Sequence, residues 1–236
     1  LSKNYFKDIK DYKSLKNSIN DVNPHIIFHL ASQAIVSNAF VDPYQNFDTN
    51  IRGTLNLLEI IRVNKSIKSA LIVTTDKVYK NENKKIKFNE RDSLEGKDPY
   101  SASKVVQEIL TFAYEKSFFS KNNLKGKIST VRSGNVIGGG DYSNNRLVPD
   151  ILYAINYKKI LNLRNPKHIR PWQHVIEPLY GYLLLAKKQY ENQLINIEPI
   201  WNFGPKKTNF INVEKICEIF KKYDSKLKTK MLNNLK

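Results

Sequence analysis

The sequence predicts an α/β fold: a doubly wound parallel sheet with helices on both faces and a smaller α/β part attached. Three observations predict it. Short apolar runs alternate with helical patterns of a dozen or more residues, the mark of βαβ units. The runs at 25–30 and 70–73 are mainly apolar, as strands covered on both faces require. Hydroxyl-bearing and charged residues gather directly after these runs, where open parallel sheets bind their ligands.

The elements follow in order. Residues 12–19 read as a short amphipathic helix, broken by Asn23-Pro24 because proline cannot donate into a helix. Residues 25–30 are a short apolar run, read as a buried strand, and 31–36 a loop. Asp42-Pro43 opens a long helix to about residue 63, with Pro43 tolerated in its first turn. Residues 70–73 form the next strand, 80–98 a polar loop and 101–119 a second long helix. Residues 127–131 are a strand, and Gly138-Gly139-Gly140 marks an irregular turn. Helices are expected at 146–157 (with Pro149 near its first turn), 178–189 and 213–223, and a strand at 200–203. There is no internal repeat and no low-complexity linker.

The 236 residues suit one large domain or two small ones, and 41% hydrophobic content provides a sizeable core. No apolar run approaches the ~18 residues that a membrane span needs. The lone cysteine, Cys217, fits a reducing cytoplasm and excludes a disulfide framework or a cysteine-based metal site; no metal is expected. The net charge is +17, from 39 Lys+Arg against 22 Asp+Glu. That sign suits a polyanion, and a basic RNA-binding protein is the rival reading of a different class. Against it, the lysines are scattered, no arginine-rich block or zinc-finger spacing occurs, and no nucleic-acid module is recognisable. An anionic substrate of moderate size, such as a nucleotide sugar, satisfies the same charge.

The segment Asp98-Pro99-Tyr100-Ser101-Ala102-Ser103-Lys104 places a phenol and an amine on one helix face. A phenol loses its proton near pH 10, and a fixed neighbouring cation lowers that value. The phenolate can then take a proton from a sugar or alcohol hydroxyl while hydride leaves the same carbon. In a chain with 13 tyrosines the pattern by itself also fits a solvated helix face.

Three more segments carry chemistry. Val73-Thr74-Thr75-Asp76-Lys77-Val78-Tyr79 sets a hydroxyl, a carboxyl and an amine in succession at a strand end, as hydrogen-bond donor, acid and base. The same residues fit a polar turn with Asp76 as a helix cap. Val131-Arg132-Ser133-Gly134-Asn135 ends another strand, where Asn135 can bind substrate hydroxyls. Arg146 and Arg170 can clamp a diphosphate through planar, charge-assisted hydrogen bonds; either arginine alone also fits a surface ion pair. Missing from the nine glycines is a strand, Gly-x-x-Gly-x-x-Gly loop and helix in succession.

In order and spacing these segments resemble the extended short-chain dehydrogenase/reductase superfamily. Within it they are similar to the nucleotide-sugar 4,6-dehydratases, most of all the CDP-glucose branch. Phe28 to Gln33, Thr49 to Thr54, Asp8-Ile9 and Tyr100/Lys104 carry the superfamily pattern. Arg132 to Gly140, and Arg164-Asn165-Pro166 through Gln173-His174, carry the branch. So does Lys77, since the dTDP-glucose branch typically has glutamate there. The resemblance implies a Rossmann-like sheet and NAD as cofactor, contacted by Asp8, Ile9, Leu30, Ala31, Ser32, Gln33, Asn50, Thr74, Tyr100 and Lys104. Gln33, Asn135, Arg146, Arg170 and His174 would bind substrate.

The implied reaction is C4 oxidation of CDP-glucose, loss of water across C5 and C6, and hydride return to C6. Tyr100, aided by Thr75, would take the C4 hydroxyl proton, Lys77 the C5 proton, and Asp76 would protonate the leaving C6 hydroxyl. Lysine ordinarily titrates near 10.4, so the site would have to desolvate Lys77 or set cations beside it. A dehydratase or epimerase acting on a dTDP-, GDP- or UDP-linked sugar is the enzymatic alternative. The resemblance further implies that the glycine-rich first unit lies upstream of Leu1 and that the C-terminal part extends beyond Lys236. Residues 1–135 would be the remainder of the NAD-binding domain, and 136–236 mainly substrate-binding, with 171–204 returning to the first domain. Helices near 44–63 and 101–119 would pair two subunits.

Overall fold

The computed structural model describes residues 3–81, 87–119, 127–193, 199–205 and 210–232. The chain folds as two units: unit 1 is Leu1–Ser133 with Leu179–Phe203, and unit 2 is Gly134–Pro178 with Gly204–Lys236.

In unit 1, α1 (Tyr12–Val22) starts at Asp11, whose carboxylate accepts the Ser14 N–H at 3.1 Å. It runs to Asn23, whose left-handed backbone (φ 48°) closes it just before Pro24, later than the sequence suggested. Then come β1 (Ile26–His29), α2 (Val36–Val41) and α3 (Pro43–Phe47). A π-helical stretch, Asp48–Arg52, joins α3 to α4 (Gly53–Val63). The long helix expected from Pro43 is therefore present, with one wide turn inside it. After β2 (Ser69–Val73) come α5 (Pro99–Tyr114), whose last turn widens over Glu115–Phe119, and β3 (Ile128–Ser133). The unit is completed by most of α7 (Ile176–Tyr190) and by β8 (Ile200–Phe203).

The four strands form one sheet in the order β1-β2-β3-β8, and every pair is parallel. All four carboxyl ends therefore lie on one edge. Because side chains alternate along a strand, β2 feeds both faces. Ala70 and Ile72 pack against Leu57, Leu58 and Ile61 of α4, with Leu15 and Ile19 of α1 and Leu110 of α5 beside them. Leu71 and Val73 point the other way, to Tyr182, Leu185 and Ala186 of α7. This is the doubly wound arrangement that the apolar strands predicted.

Unit 2 is built from shorter pieces. These are β4 (Val136–Ile137), α6 (Leu147–Asn156), β5 (Ile160–Leu163), β6 (Ile169–Pro171), β7 (Gln173–His174), β9 (Phe210–Asn212), α8 (Val213–Tyr223) and β10 (Lys228–Met231). They pair as three two-stranded ladders, β4 with β7, β5 with β10 and β6 with β9. Ile151 and Ala154 of α6 meet Ile216 and Cys217 of α8, with Leu163 and Leu227. Cys217 is thus core, and burial pushes its thiol up. The chain returns to unit 1 at Leu179 rather than at residue 171. The reason is β7: Gln173 donates its N–H to the Asn135 carbonyl (3.0 Å) and Val175 to that of Ile137 (2.8 Å). Gly138 permits this, since a Cβ there would lie 2.6 Å from Val175 Cγ1.

Candidate active site

Helix α5 carries Tyr100 and Lys104, and its start is fixed by local chemistry. Asp98 caps it: its carboxylate accepts the Ser101 N–H (3.0 Å) while the Ser101 hydroxyl accepts the Asp98 N–H (3.0 Å). Pro99 occupies the first turn, where no donor is needed. From α3, Asn46 donates to the Pro99 carbonyl at 3.0 Å. Tyr100 is 8% exposed and Lys104 3%, so neither stands on the solvated face that the bare pattern also allowed.

The Lys104 ammonium reaches the carboxyl edge of the sheet. It donates to the Val73 carbonyl at the end of β2 and to the Ser32 hydroxyl after β1, both at 3.1 Å. Burial pulls its pKa down to about 8, with Glu108, one turn along α5, acting in the opposite direction. Beneath it lies His29, whose imidazole burial and the Lys104 charge push down to about 4. His29 is thus neutral at pH 7. Gln107 donates to Thr54, and the Thr54 hydroxyl lies 2.9 Å from His29 Nε2, within hydrogen-bond reach.

The unfolded imidazole titrates near 6.5, so His29 contributes stability that is fully present above pH ~6.5 and lost as pH falls through about 4. We expect His29→Gln to remove ~3 kcal/mol of the acid-side loss between those values. Denaturant unfolding of both proteins across that range checks it; equal slopes would refute it.

Thr75, Asp76 and Lys77 follow β2 at the same edge. Thr75, 7% exposed, caps a single 3₁₀ turn, Asp76–Val78; its hydroxyl accepts the Lys77 N–H at 3.3 Å and donates to Asp76 at 3.3 Å. The capping residue is therefore Thr75, not Asp76. Asp76 is half-buried and Lys77 exposed, so unit 1 does not supply the desolvation expected at Lys77. Thr74, expected to touch the cofactor, has its hydroxyl on Glu108 and its N–H on the Val131 carbonyl (2.9 Å); its side chain serves the fold.

Sequence reasoning missed the group beneath this turn. Arg132, 2% exposed, grips both carboxylate oxygens of Glu108 through Nε and Nη2, each at 2.9 Å. Thr130 adds a 2.6 Å bond to the same carboxylate. Arg132 Nη1 donates to the Tyr79 hydroxyl (2.8 Å), which donates to Asn202 Oδ1 (2.6 Å). Burial pushes the Tyr79 phenol up, which keeps it a donor. A charged residue within the β3 strand, Ile128–Ser133, was the signal in the sequence.

After β1, Leu30 and Ala31 are exposed and Ser32 half-buried. Asn50, fully buried in the π-helical turn, accepts the Gln33 N–H (2.8 Å) and donates to the Gln33 carbonyl (3.1 Å) and to Ser103 (2.8 Å). It ties this loop to α5. The Gln33 amide is likewise committed, bonding both backbone groups of Ile35 at 3.0 and 2.7 Å. Asp8 is exposed and Ile9 half-buried. Asn56 of α4 holds that turn by the carbonyls of Ile9 (3.0 Å) and Lys10 (2.9 Å). Gly53 makes the approach possible: a Cβ there would fall 2.2 Å from Ile9 Cδ1.

Unit 2 holds the remaining predicted residues. Strand pairing sets Asn135 beside β7, which carries His174; that imidazole accepts the Ile176 N–H at 3.3 Å. Arg146 is exposed and pairs with Asp141 at 3.5 Å, the surface ion pair that was its alternative. Arg170 lies against His168, Nη2 to Nδ1 at 3.3 Å. Among the described residues, no cluster of three or more His, Cys, Asp or Glu is placed to hold a metal ion.

A parallel doubly wound sheet, with a Tyr-x-x-x-Lys helix at its carboxyl edge and a second α/β unit, defines an extended short-chain dehydrogenase/reductase fold. Solved structures share it. UDP-glucose 4-epimerase of Thermotoga maritima, with UDP-glucose, matches 98% of this chain and 72% of its own (TM-score 0.80, 21% identity). dTDP-glucose 4,6-dehydratase of Bacillus anthracis, in complex with NAD, matches 97% of this chain and 67% of its own (TM-score 0.73, 25% identity). The chain belongs to the GDP-mannose 4,6 dehydratase family, whose model matches residues 3–231. It is 38% identical to CDP-glucose 4,6-dehydratase of Salmonella typhimurium over 92% of its residues, and spans 61% of that relative's length.

Proposed function

We propose that the full-length protein is an NAD-dependent CDP-glucose 4,6-dehydratase. One observation carries this reading: the Thr75-Asp76-Lys77 turn ends the same strand whose last carbonyl, that of Val73, holds the Lys104 ammonium. Acid–base groups and the Tyr100/Lys104 pair thus share one edge. The similarity to the Salmonella enzyme supports the choice of sugar nucleotide.

The residues of unit 1 fit NAD. A buried cation stands at the β1 loop beside exposed Leu30 and Ala31, and the Asp8-Ile9 turn is held on α4 by Asn56. When bound, NAD supplies the hydride acceptor at C4 and the donor at C6. Tyr100 takes the C4 hydroxyl proton, its phenolate steadied by Lys104 and the hydroxyl oriented by Thr75. The C4 ketone acidifies C5. Lys77, as a neutral amine, takes the C5 proton, and Asp76, protonated, gives its proton to the leaving C6 hydroxyl; the Lys77 ammonium then returns a proton to C5 as C6 is reduced. Because Lys77 is exposed in unit 1, substrate must desolvate it.

Unit 1 then serves the cofactor, while Asn135, Arg146, Arg170 and His174 of unit 2 serve the sugar nucleotide. Two copies pair through α4 and α5, where Leu55, Val63, Ile109 and Phe112 are exposed. A cytoplasmic setting suits the single buried thiol. No described helix is long and apolar enough to cross a membrane.

The test offers CDP-, dTDP-, GDP- and UDP-glucose to the full-length protein and follows the alkaline absorbance of the 4-keto product. Turnover is expected with CDP-glucose. Lys77→Ala should retain NAD yet lose ~10²–10⁴-fold in elimination; unchanged turnover would sink the assignment.

A further inference from the structure

We infer that the buried Arg132–Glu108 pair is the positioning centre that fixes Thr75-Asp76-Lys77 against Tyr100 and Lys104. The inference rests on the reading of those five residues as the reacting groups.

The turn carrying the triplet holds itself poorly. Its internal bonds are long: Lys77 N to Thr75 Oγ1 at 3.3 Å, and Val78 N to Thr75 O and Tyr79 N to Asp76 O at 3.4 Å each. Typical N–H···O bonds lie near 2.9–3.0 Å. Its two ends, in contrast, are anchored to one ion pair. Thr74, just before the triplet, donates to Glu108. Tyr79, just after Val78, accepts from Arg132 at 2.8 Å, and the guanidinium carbon stands 4.9 Å from the centre of its ring. Glu108 lies one turn beyond Lys104 on the helix that carries the redox pair. Glu108 therefore joins both ends of the acid–base turn to that helix, the Thr74 end directly and the Tyr79 end through its bidentate contact with Arg132.

Stability alone does not call for charge here. Apolar residues of similar volume commonly replace a buried ion pair at no loss, whereas a bidentate guanidinium–carboxylate contact adds fixed geometry. Tyr79 extends that geometry to β8 through Asn202, whose own N–H bonds Glu90 Oε1 at 2.9 Å.

Tyr79→Phe frees the Tyr79 end of the turn from Arg132 and from Asn202. It removes one hydroxyl and keeps the ring stacked on Phe88, centroids 4.8 Å apart. In the full-length protein we expect amide exchange at residues 76–79 to quicken ~10-fold, with that of Leu71 and Ile72 unchanged. We expect kcat to fall ~10-fold at constant KM. A second variant, Arg132→Met with Glu108→Leu, removes both charges together. It should fold and show the same two changes; if it fails to fold, Tyr79→Phe decides alone. Wild-type exchange at 76–79 in the variants overturns the inference. Absence of turnover with any nucleotide sugar in the wild-type protein would instead refute the proposed function, and the exchange comparison would still decide whether the pair holds the turn.

Discussion

Tyr100→Phe in the full-length protein should lower dehydratase turnover by roughly 10³-fold while leaving the fold and NAD content intact. The ring is kept, and so are the bonds that set the helix: the reciprocal Asp98–Ser101 cap and the Asn46 bond to the Pro99 carbonyl. The hydroxyl, which the proposed reaction uses to take the C4 hydroxyl proton, is lost. The block then falls before the ketone forms, so neither 4-keto product nor solvent deuterium at C5 should appear. Lys77→Ala stops the reaction one step later, after C4 is oxidised, and the two variants are told apart by this. The same pair sets an alkaline limit. Lys104 is a cation below about 8 and neutral above it, so wild-type turnover should drop ~10-fold per pH unit beyond that point. Undiminished turnover in Tyr100→Phe would remove Tyr100 from the reaction.

Arg132→Met alone should cost ~3–5 kcal/mol of folding stability, among the largest losses a single substitution in this chain can produce. Glu108 is 4% exposed, and with Arg132 gone its carboxylate would keep only the hydroxyls of Thr74 and Thr130. Two hydroxyls do not compensate a buried negative charge. Adding Glu108→Leu removes that charge and should restore most of the loss, as measured by denaturant unfolding. If the single variant is as stable as the wild type, Glu108 is not buried as described.

Unit 1 was legible in the sequence because its strands are apolar runs set between long helical patterns, and Ala70 to Val73 could be nothing but buried. Tyr100, Lys104 and the Thr75 turn were legible because they follow directly on those elements. Unit 2 was not, apart from α6 and α8. Its strands, such as Val136–Ile137 and Ile169–Pro171, are too short to carry a period, and they exist only through partners distant in the chain. The same limit hid the hydrogen bonds that Asn50, Thr74 and Gln33 make within the protein, which only tertiary geometry shows. The Arg132–Glu108 pair joins residues of two elements, so a charge within β3 marked one partner and nothing local marked the pairing.

The Lys77 side chain is exposed, and its backbone N–H, not its ammonium, takes part in the turn. Any residue but proline keeps that N–H, and the turn has its other anchors at Thr74, Val78 and Tyr79. Position 77 is thus a place where one codon can change at little folding cost. A lineage built on this scaffold could try a different base, and with it a different fate for the sugar, in a single mutational step.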